Sequence, residues 1–218
     1  MQQWSEDRIA RWIREGRGQG HGSQYRPWLT VHDLSSRGRC HRPWSAKVGR
    51  HLELFSDTEY GVFLIAERSA KVVDIQEQYP LDRELSQTLA RSLGVRHPTY
   101  PGTHVPVVLT VDLLVTLRGP RGQVKVGIDS KVKTDAEDRR TLEKLALTRA
   151  CLEHMGHRHV LFFDTQLPKQ LIRNLESIRG SRPHEQEDLP YPNYLEEAVD
   201  KLHEHLSRLL FGQKPLRV

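Results

Sequence analysis

An aspartate interrupts an apolar stretch of the chain, and an Asp-x-Lys tripeptide follows it closely. Asp112 lies within the run 107–115, in which every other residue except Thr110 is apolar. A bare buried carboxylate is costly, so this one requires a charged partner or a metal ion. Asp129 and Lys131 stand two residues apart, which places both side chains on one face if the segment is a strand. The sequence therefore predicts two carboxylates and one lysine on a common patch.

Such a patch has a clear use in phosphodiester hydrolysis. Mg²⁺ prefers oxygen ligands and keeps several waters, so one or two carboxylates and a substrate phosphate suffice to hold it. A charged lysine is not a ligand, but it can orient or help deprotonate the attacking water and offset the charge of the transition state. A third carboxylate on a preceding segment, Glu59, would complete the metal site or place a second ion. The expected metal is Mg²⁺, with Mn²⁺ as a substitute.

Each of these residues also has an explanation without catalysis. A solvated ion pair accounts for most Asp-x-Lys tripeptides, and the helix dipole stabilises an acid in a first helical turn, as Glu59 would be. Lys133 shares the strand face of Asp129 and Lys131, so it either touches the scissile phosphate or is an exposed edge lysine. Ser130 is expected on the opposite face and is not a candidate nucleophile. The residue pattern alone leaves these alternatives open.

The elements that must position these residues are helices and strands in a mixed order. The strands at 107–117 and 123–133, joined by the turn at 119–122, form a hairpin that brings Asp112 beside Asp129. The first of the other predicted elements is a helix capped by Ser56 or Asp57 that runs to about Arg68. A strand follows, which begins with the β-branched run 72–75 and ends near 80. The remaining elements are a helix over 82–94, a long helix to about 155 capped by Thr134 or Asp135, and a strand at 159–164. This order predicts an α/β fold in which helices pack against a mixed sheet.

The first 55 residues carry the positive charge of the protein. They hold ten basic and five acidic side chains, which matches the net charge of +5 of the whole chain. Four aromatic residues, Trp12, Tyr25, Trp28 and Trp44, alternate with the arginines, and this mixture suits a nucleic-acid surface as well as an ordinary solvated face. A helix is predicted at 6–15, and the glycine-rich stretch 16–22 is predicted to be a loop without the Lys-Ser/Thr ending of a phosphate-binding loop. The candidate DNA-binding residues are Arg17, Arg26, Arg39 and Lys133.

Composition excludes several other classes of protein. No stretch is apolar for long enough to cross a bilayer, and the first residues lack the pattern of a signal peptide. Cys40 and Cys151 are far apart, which argues against a disulfide scaffold or a cysteine-ligated zinc site and favours a reducing, cytoplasmic compartment. The spacing of His154, His157 and His159 spans a helix end and a strand start, so we expect structural or solvated histidines. The predicted regions are a basic N-terminal segment (1–55), a catalytic core (56–164) and a small, mostly helical C-terminal region (165–218), with a linker at 179–193.

Motifs across residues 8–178 resemble those of the TnsA family, the restriction-endonuclease-like subunit of heteromeric Tn-seven-type transposases. They occur in order and at matching spacings. The matching segments are Ile9, Arg14-Glu15-Gly16-Arg17-Gly18-Gln19-Gly20-His21-Gly22, Tyr25, Pro27-Trp28-Leu29-Thr30-Val31, Ser56-Asp57-Thr58-Glu59, Val62-Phe63-Leu64, Asp74-Ile75, Glu77-Gln78, Pro80-Leu81, His97-Pro98, Arg140-Thr141-Leu142-Glu143-Lys144-Leu145 and the strand ending at Asp164. The resemblance implies a restriction-endonuclease-like core and favours a catalytic Glu59 over a simple helix acid.

The resemblance also implies a function and partners. Members of the family cut the 5′ strand at each transposon end, while a DDE-type partner transposase cuts the 3′ strand and joins it. The acidic ligands of the family fall on Glu59 and Asp112 and its catalytic lysine on Lys131. Some members carry glutamine where this chain has Asp129, and an aspartate should bind the metal more firmly. A regulatory ATPase is a further implied partner, and the implied location is the bacterial cytoplasm, with the nucleoid.

Two other functions remain as hypotheses beside this one. The chain is either an active nuclease or a non-catalytic DNA-binding scaffold that keeps the nuclease fold inside a transposition complex. An intact set of Glu59, Asp112, Asp129 and Lys131 argues against the scaffold. A stand-alone restriction-type enzyme is the third reading, and site-specific recognition by the isolated protein would favour it.

Overall fold

The computed structural model describes residues 4–33, 39–120, 122–133 and 138–180. Its elements are α1 (Glu6–Arg14), β1 (Trp44–Ser45), β2 (Arg50–His51), α2 (Asp57–Arg68), β3 (Val72–Pro80), α3 (Arg83–Ser92), β4 (Thr110–Gly119), β5 (Gly122–Lys131), α4 (Arg139–His154), β6 (Arg158–Phe163) and α5 (Lys169–Gly180). One compact unit runs to Leu175 and a second begins at Glu176. The division into the regions 1–55, 56–164 and 165–218 stays a prediction.

The four longer strands form one mixed sheet in the order β3-β4-β5-β6. β3, β4 and β5 are antiparallel neighbours, and β6 pairs with β5 in the parallel direction. The parallel pair requires a crossover, which α4 supplies. The predicted mixed sheet with flanking helices, including the hairpin, is therefore confirmed.

Two apolar clusters pack against the sheet. One joins α2 to it and includes Val62, Phe63, Leu113 and Val115, all of them buried. The other includes side chains of α3, β4 and α4: Ala90, Val111, Leu114, Leu147 and Leu152. Full burial of such a side chain contributes about 1.5–3 kcal/mol. These clusters fix α2 and α4 against the sheet, which matters because both helices line the candidate site.

The glycine-rich stretch after α1 is a loop, as predicted, and it docks on β3. A Cβ atom at Gly18 would collide with the ring of Pro80, so only glycine allows this close approach. The Gln76 side chain donates to the carbonyl of Gly20 (3.0 Å), and the amide of Gly22 donates to Asp74 Oδ1 (3.2 Å). The loop thus packs on β3 as part of the same compact unit.

The structure differs from the predicted elements at the start of α4 and in the pair β1–β2. α4 begins at Arg139 rather than near residue 135, because Asp138 caps it by accepting a hydrogen bond from the Thr141 amide at 2.7 Å. The proposed caps Thr134 and Asp135 lie outside the described residues, as does nearly all of the proposed linker at 179–193. The short antiparallel pair β1–β2 was not predicted, because two-residue strands carry no periodicity.

Within the described residues, no helix has the length and apolar character needed to span a membrane.

Candidate active site

The four predicted catalytic residues line one cavity of about 500 Å³. α2 contributes Glu59, β4 contributes Asp112, and β5 contributes Asp129 and Lys131. The opposite wall is one face of α4, whose lining residues recur at helical spacing: Thr141, Lys144, Leu145 and Thr148. The three acids and the lysine singled out in the sequence therefore come from three separate elements and line one cavity, which α4 completes.

Glu59 is fixed at the start of α2 by three hydrogen-bond donors. The Ser56 hydroxyl donates to Oε1 at 3.0 Å, while the Phe55 amide (2.9 Å) and the Gln78 side chain (3.4 Å) donate to Oε2. Ser56 also accepts a hydrogen bond from the Glu59 amide, so it is the N-cap residue of α2. Only 6% of Glu59 is exposed. The carboxylate thus stabilises the helix start and faces the cavity at once.

Asp112 and Ser130 join the strands where the regular β4–β5 pairing stops. The last ladder pair on this side is Leu113 with Ile128. Beyond it, Asp112 Oδ2 accepts hydrogen bonds from the Ser130 amide (2.7 Å) and hydroxyl (3.1 Å). The prediction that Ser130 points away from the patch is wrong, because the strands separate here and the Asp112 carboxylate takes the place of a backbone carbonyl. Asp112 Oδ1 accepts no hydrogen bond from the described residues.

Asp129 is held from both sides. Its Oδ1 accepts from the Asp112 amide at 3.3 Å, and its Oδ2 lies 2.8 Å from His159 Nε2. An ionised carboxylate only accepts hydrogen bonds, so the imidazole is the donor. Both side chains are about 95% buried. His159 lies on β6, and the parallel register pairs it with Gly127, two residues before Asp129.

His159 is a positioning residue that the sequence reading missed, since a structural or solvated role was expected for it. We expect His159→Phe to weaken the binding of Mg²⁺ in this cavity about 10–100-fold, as loss of a partner that orients a ligand does elsewhere. His159→Gln keeps an N–H near the position of Nε2 and should restore most of that loss. The measurement is calorimetric titration of Mg²⁺ into the wild type and the two variants.

The matched control is His154→Phe, which changes an exposed histidine near the end of α4. It should bind Mg²⁺ as the wild type does. Equal Mg²⁺ binding by His159→Phe and the wild type would show that the orientation of Asp129 does not depend on the imidazole.

Lys131 points its ammonium group at the carboxylates. Its Nζ donates to the Ser130 carbonyl at 2.8 Å and lies 3.5 Å from Asp112 Oδ2. Burial by itself lowers the pKa of Lys131, but the nearby carboxylates Asp112, Asp129 and Glu59 outweigh it and raise that pKa above its usual value. The lysine is therefore a fixed cation in the metal-free site.

Burial has the opposite consequence for the carboxylates. It raises the pKa of Glu59 to about 8, and the charge of Asp112 adds to that rise. The pKa of Asp112 is also raised, first by burial and then by Asp129, although Lys131 opposes the shift. Carboxylates with raised pKa values in a cleft are a frequent property of catalytic sites, because the same crowding is relieved by a bound cation or substrate.

Gln78 is a second residue that the sequence reading did not assign to the site. Its φ of 46° makes it the one non-glycine residue with positive φ among those described. Its amide lies between Glu59 Oε2 (3.4 Å) and the Thr110 hydroxyl (3.3 Å), and it lines the cavity. Such backbone strain concentrates at functional sites. Gln78 lies in Glu77-Gln78, one of the segments that resemble the TnsA family, but nothing in its local sequence predicts a positive φ.

The donor chemistry of the cavity fits Mg²⁺ better than a softer metal. Asp112 and Asp129 both line the cavity, and Mg²⁺ is usually held by one or two carboxylates with waters and phosphate oxygens. No group of three histidine, cysteine, aspartate or glutamate side chains arranged to hold one ion occurs among the described residues. The two aspartates are therefore the residues that would hold the ion, with Glu59 as an assisting carboxylate.

The candidate DNA-binding residues lie outside the cavity. Arg17 is engaged within the protein: its guanidinium forms a 2.6 Å ion pair with Asp33, donates to the Trp28 carbonyl and covers the Trp12 ring. Arg26 is exposed and donates to the Glu15 carbonyl. Arg39 and Lys133 are also exposed. Their contact with DNA stays a prediction, and the structure gives Arg17 a clear structural task.

Comparison with known proteins identifies relatives. The family model described as "TnsA-like endonuclease N terminal" matches residues 69–164. That range includes Asp112, Asp129 and Lys131 and stops short of Glu59. The chain is 39% identical over 183 residues to the Escherichia coli protein "Transposon Tn7 transposition protein TnsA", an alignment that covers 84% of this chain and 66% of the relative, just under two thirds of its length.

Proposed function

This chain belongs to the TnsA family, whose core is restriction-endonuclease-like, and from that premise we propose that it cuts the 5′ strand at each transposon end by Mg²⁺-dependent hydrolysis. The observation that carries the proposal is the convergence of Glu59, Asp112, Asp129 and Lys131 on one cavity. The first and last of these residues, Glu59 and Lys131, are 72 positions apart in the sequence, so only the fold brings them together.

In this mechanism each side chain has a separate task. Asp112 and Asp129 would hold Mg²⁺, and Glu59 would add a carboxylate from the first turn of α2. When bound, Mg²⁺ lowers the pKa of a water ligand and polarises the phosphoryl oxygen. His159 and Ser130 keep the two aspartates oriented through the hydrogen bonds described above.

Lys131 acts as a cation in this proposal. Its pKa is raised in the metal-free site, so its ammonium group holds its proton at neutral pH. It donates to a phosphate oxygen and offsets the charge that develops in the transition state. It also positions the attacking water by a hydrogen bond, which requires no proton transfer to the lysine.

The proposed partners follow from the family. The substrate is double-stranded DNA at transposon ends, and the complementary cut on the 3′ strand belongs to a DDE-type transposase. Contact with a regulatory ATPase is proposed as well. A non-catalytic scaffold is the alternative function, but the buried, mutually oriented acids and lysine would be costly to keep without catalysis.

The function is tested with end DNA labelled on each strand, the matched partner transposase and Mg²⁺. Adding this chain should produce 5′-strand cuts at the transposon end that EDTA abolishes and that DNA without an end sequence does not show. Cuts by the isolated chain at a specific sequence would favour a restriction-type enzyme. Normal transposon joining without any 5′-strand cut would favour the scaffold.

A further inference from the structure

We infer that a basic track on α4 and the segment after α3 holds the DNA backbone next to the cut. The track is formed by Lys144, Arg140 and Arg96. This inference rests on the proposed function, because it names the surface by which the same site receives its DNA.

The geometry begins with two adjoining cavities. The active-site cavity and a smaller one of about 130 Å³ share two lining residues, Thr141 and Lys144. The smaller cavity also contains Arg96, Arg140 and Glu143. Lys144 therefore lies on the rim between the catalytic residues and a second depression that opens beside them.

The two cavities differ in charge. The first is lined by three acids, Glu59, Asp112 and Asp129, and by two cations, Lys131 and Lys144. The second is lined by three cations and one acid: Arg96, Arg140, Lys144 and Glu143. A polyanion that reaches the first cavity is thus attracted by the cationic surface at its edge.

Two of the three cations are available for a ligand. Lys144 and Arg96 are exposed, and neither has an ion-pair partner within the part of the chain that the structure describes. Arg140 is tied to Glu143 at 2.9 Å, and Glu143 also pairs with Arg139. Unpaired lysine and arginine side chains are the groups that neutralise DNA phosphates and release counterions.

The Thr141 amide in the first turn of α4 already donates to Asp138, so it is not available to a phosphate. The exposed side chains of Lys144 and Arg96 are therefore the groups that we expect to attract one. Successive phosphates of one strand advance by only about 3.4 Å along the duplex axis, so a strand that places one phosphate at Lys131 passes others over the rim.

Binding of fluorescent end DNA in EDTA, over a range of salt concentrations, tests the track without any cutting. Each lost phosphate contact reduces the slope of log K against log salt by about 0.9, so Lys144→Ala with Arg96→Ala should reduce it by about 2. Lys144→Arg combined with Arg96→Ala keeps a cation at residue 144, so it should reduce the slope by only about 0.9. The matched control is Arg149→Ala with Arg118→Ala, two exposed arginines that line neither cavity, and it should leave the slope unchanged.

Each outcome decides the inference. An unchanged slope in the Lys144/Arg96 variant, or an equal reduction in the control, overturns the track, as does a wild-type chain that binds no DNA at the lowest salt. Cutting assays with the partner transposase separate this from the proposed function. If the variant has the wild-type salt slope and the wild type cuts DNA with Mg²⁺, the basic track is wrong and the proposed function stands. If the variant has a reduced slope and the wild type does not cut, the proposed function is wrong and the basic track stands.

Discussion

Lys131→Ala is expected to lower single-turnover cutting of the 5′ strand by about 10²–10⁴-fold, the loss seen when a transition-state donor or a proton-handling group is removed. Asp112→Asn should cause a loss at the upper end of that range, because it removes charge from the aspartate whose Oδ1 is open to the cavity. Cutting of the 3′ strand by the partner transposase should survive in both variants.

The size of the Lys131 effect follows from its surroundings. The ammonium group is the cation closest to the carboxylates, 3.5 Å from Asp112, and its side chain is 27% exposed. A phosphate oxygen placed there loses its water and gains a charge-assisted hydrogen bond. Alanine supplies neither the charge nor the donor.

Two further variants make this prediction specific. Lys125→Ala removes a lysine from the same strand but outside the cavity, and it should cut normally. Lys131→Arg keeps the positive charge but cannot take up a proton, so it should retain clearly more activity than Lys131→Ala if the lysine acts as a cation. Equal loss in the arginine and alanine variants would instead indicate proton transfer at Lys131.

Glu59→Gln is expected to abolish most cutting and yet to stabilise the metal-free protein at alkaline pH. The ordinary pKa of a glutamate is 4.5, and burial raises the pKa of Glu59 to about 8 in the folded protein. Between these values the folded state keeps a proton that the unfolded chain has released. The contribution of Glu59 to stability is therefore complete below pH 4.5 and is lost as pH rises through 8.

Glutamine cannot ionise, so the variant lacks this loss. Its Tm relative to wild type should rise steadily with pH and should exceed the wild-type Tm at pH values above the pKa of Glu59. For a chain of this size about 1 kcal/mol corresponds to roughly 2–4 °C. Thermal unfolding across that pH range is the measurement.

Mg²⁺ supplies the control for the glutamate prediction. It should raise the Tm of wild type more at high pH than at low pH, since it competes with the proton on Glu59, and it should raise the Tm of Glu59→Gln less. A Tm difference between variant and wild type that does not change with pH would show that Glu59 is already ionised in the metal-free fold.

Local pattern was enough to find the residues of the hairpin. The apolar run around Asp112 and the two-residue spacing of Asp129 and Lys131 fix a strand face, and the turn between the strands fixes their pairing. Glu59 was harder, because an acid in a first helical turn has an ordinary capping role, and only the resemblance favoured catalysis. In the structure Glu59 accepts hydrogen bonds at the start of α2 and also lines the cavity, so its position is compatible with both roles.

The contributions of His159 and Gln78 depend on tertiary structure. His159 reaches Asp129 because β6 lies parallel to β5, and a parallel pairing across a helical crossover leaves no local signal. The positive φ of Gln78 similarly arises in the middle of a strand. Tertiary contacts also decide which N-terminal arginines are available to DNA. Arg50 donates two 2.7 Å hydrogen bonds to Glu77 inside the protein and so does not belong to a DNA-binding surface.

The most direct test of a metal-dependent nuclease centre is calorimetric titration of Mg²⁺ or Mn²⁺ into wild type, Asp112→Asn and Lys131→Ala. Asp112 is proposed as a ligand, so its variant should bind the metal at least about 10-fold more weakly. Lys131 repels a cation, so Lys131→Ala should bind as tightly as wild type or more tightly, although it does not cut. Equal metal binding by wild type and Asp112→Asn, or weaker binding by Lys131→Ala, would contradict the assignment of the site.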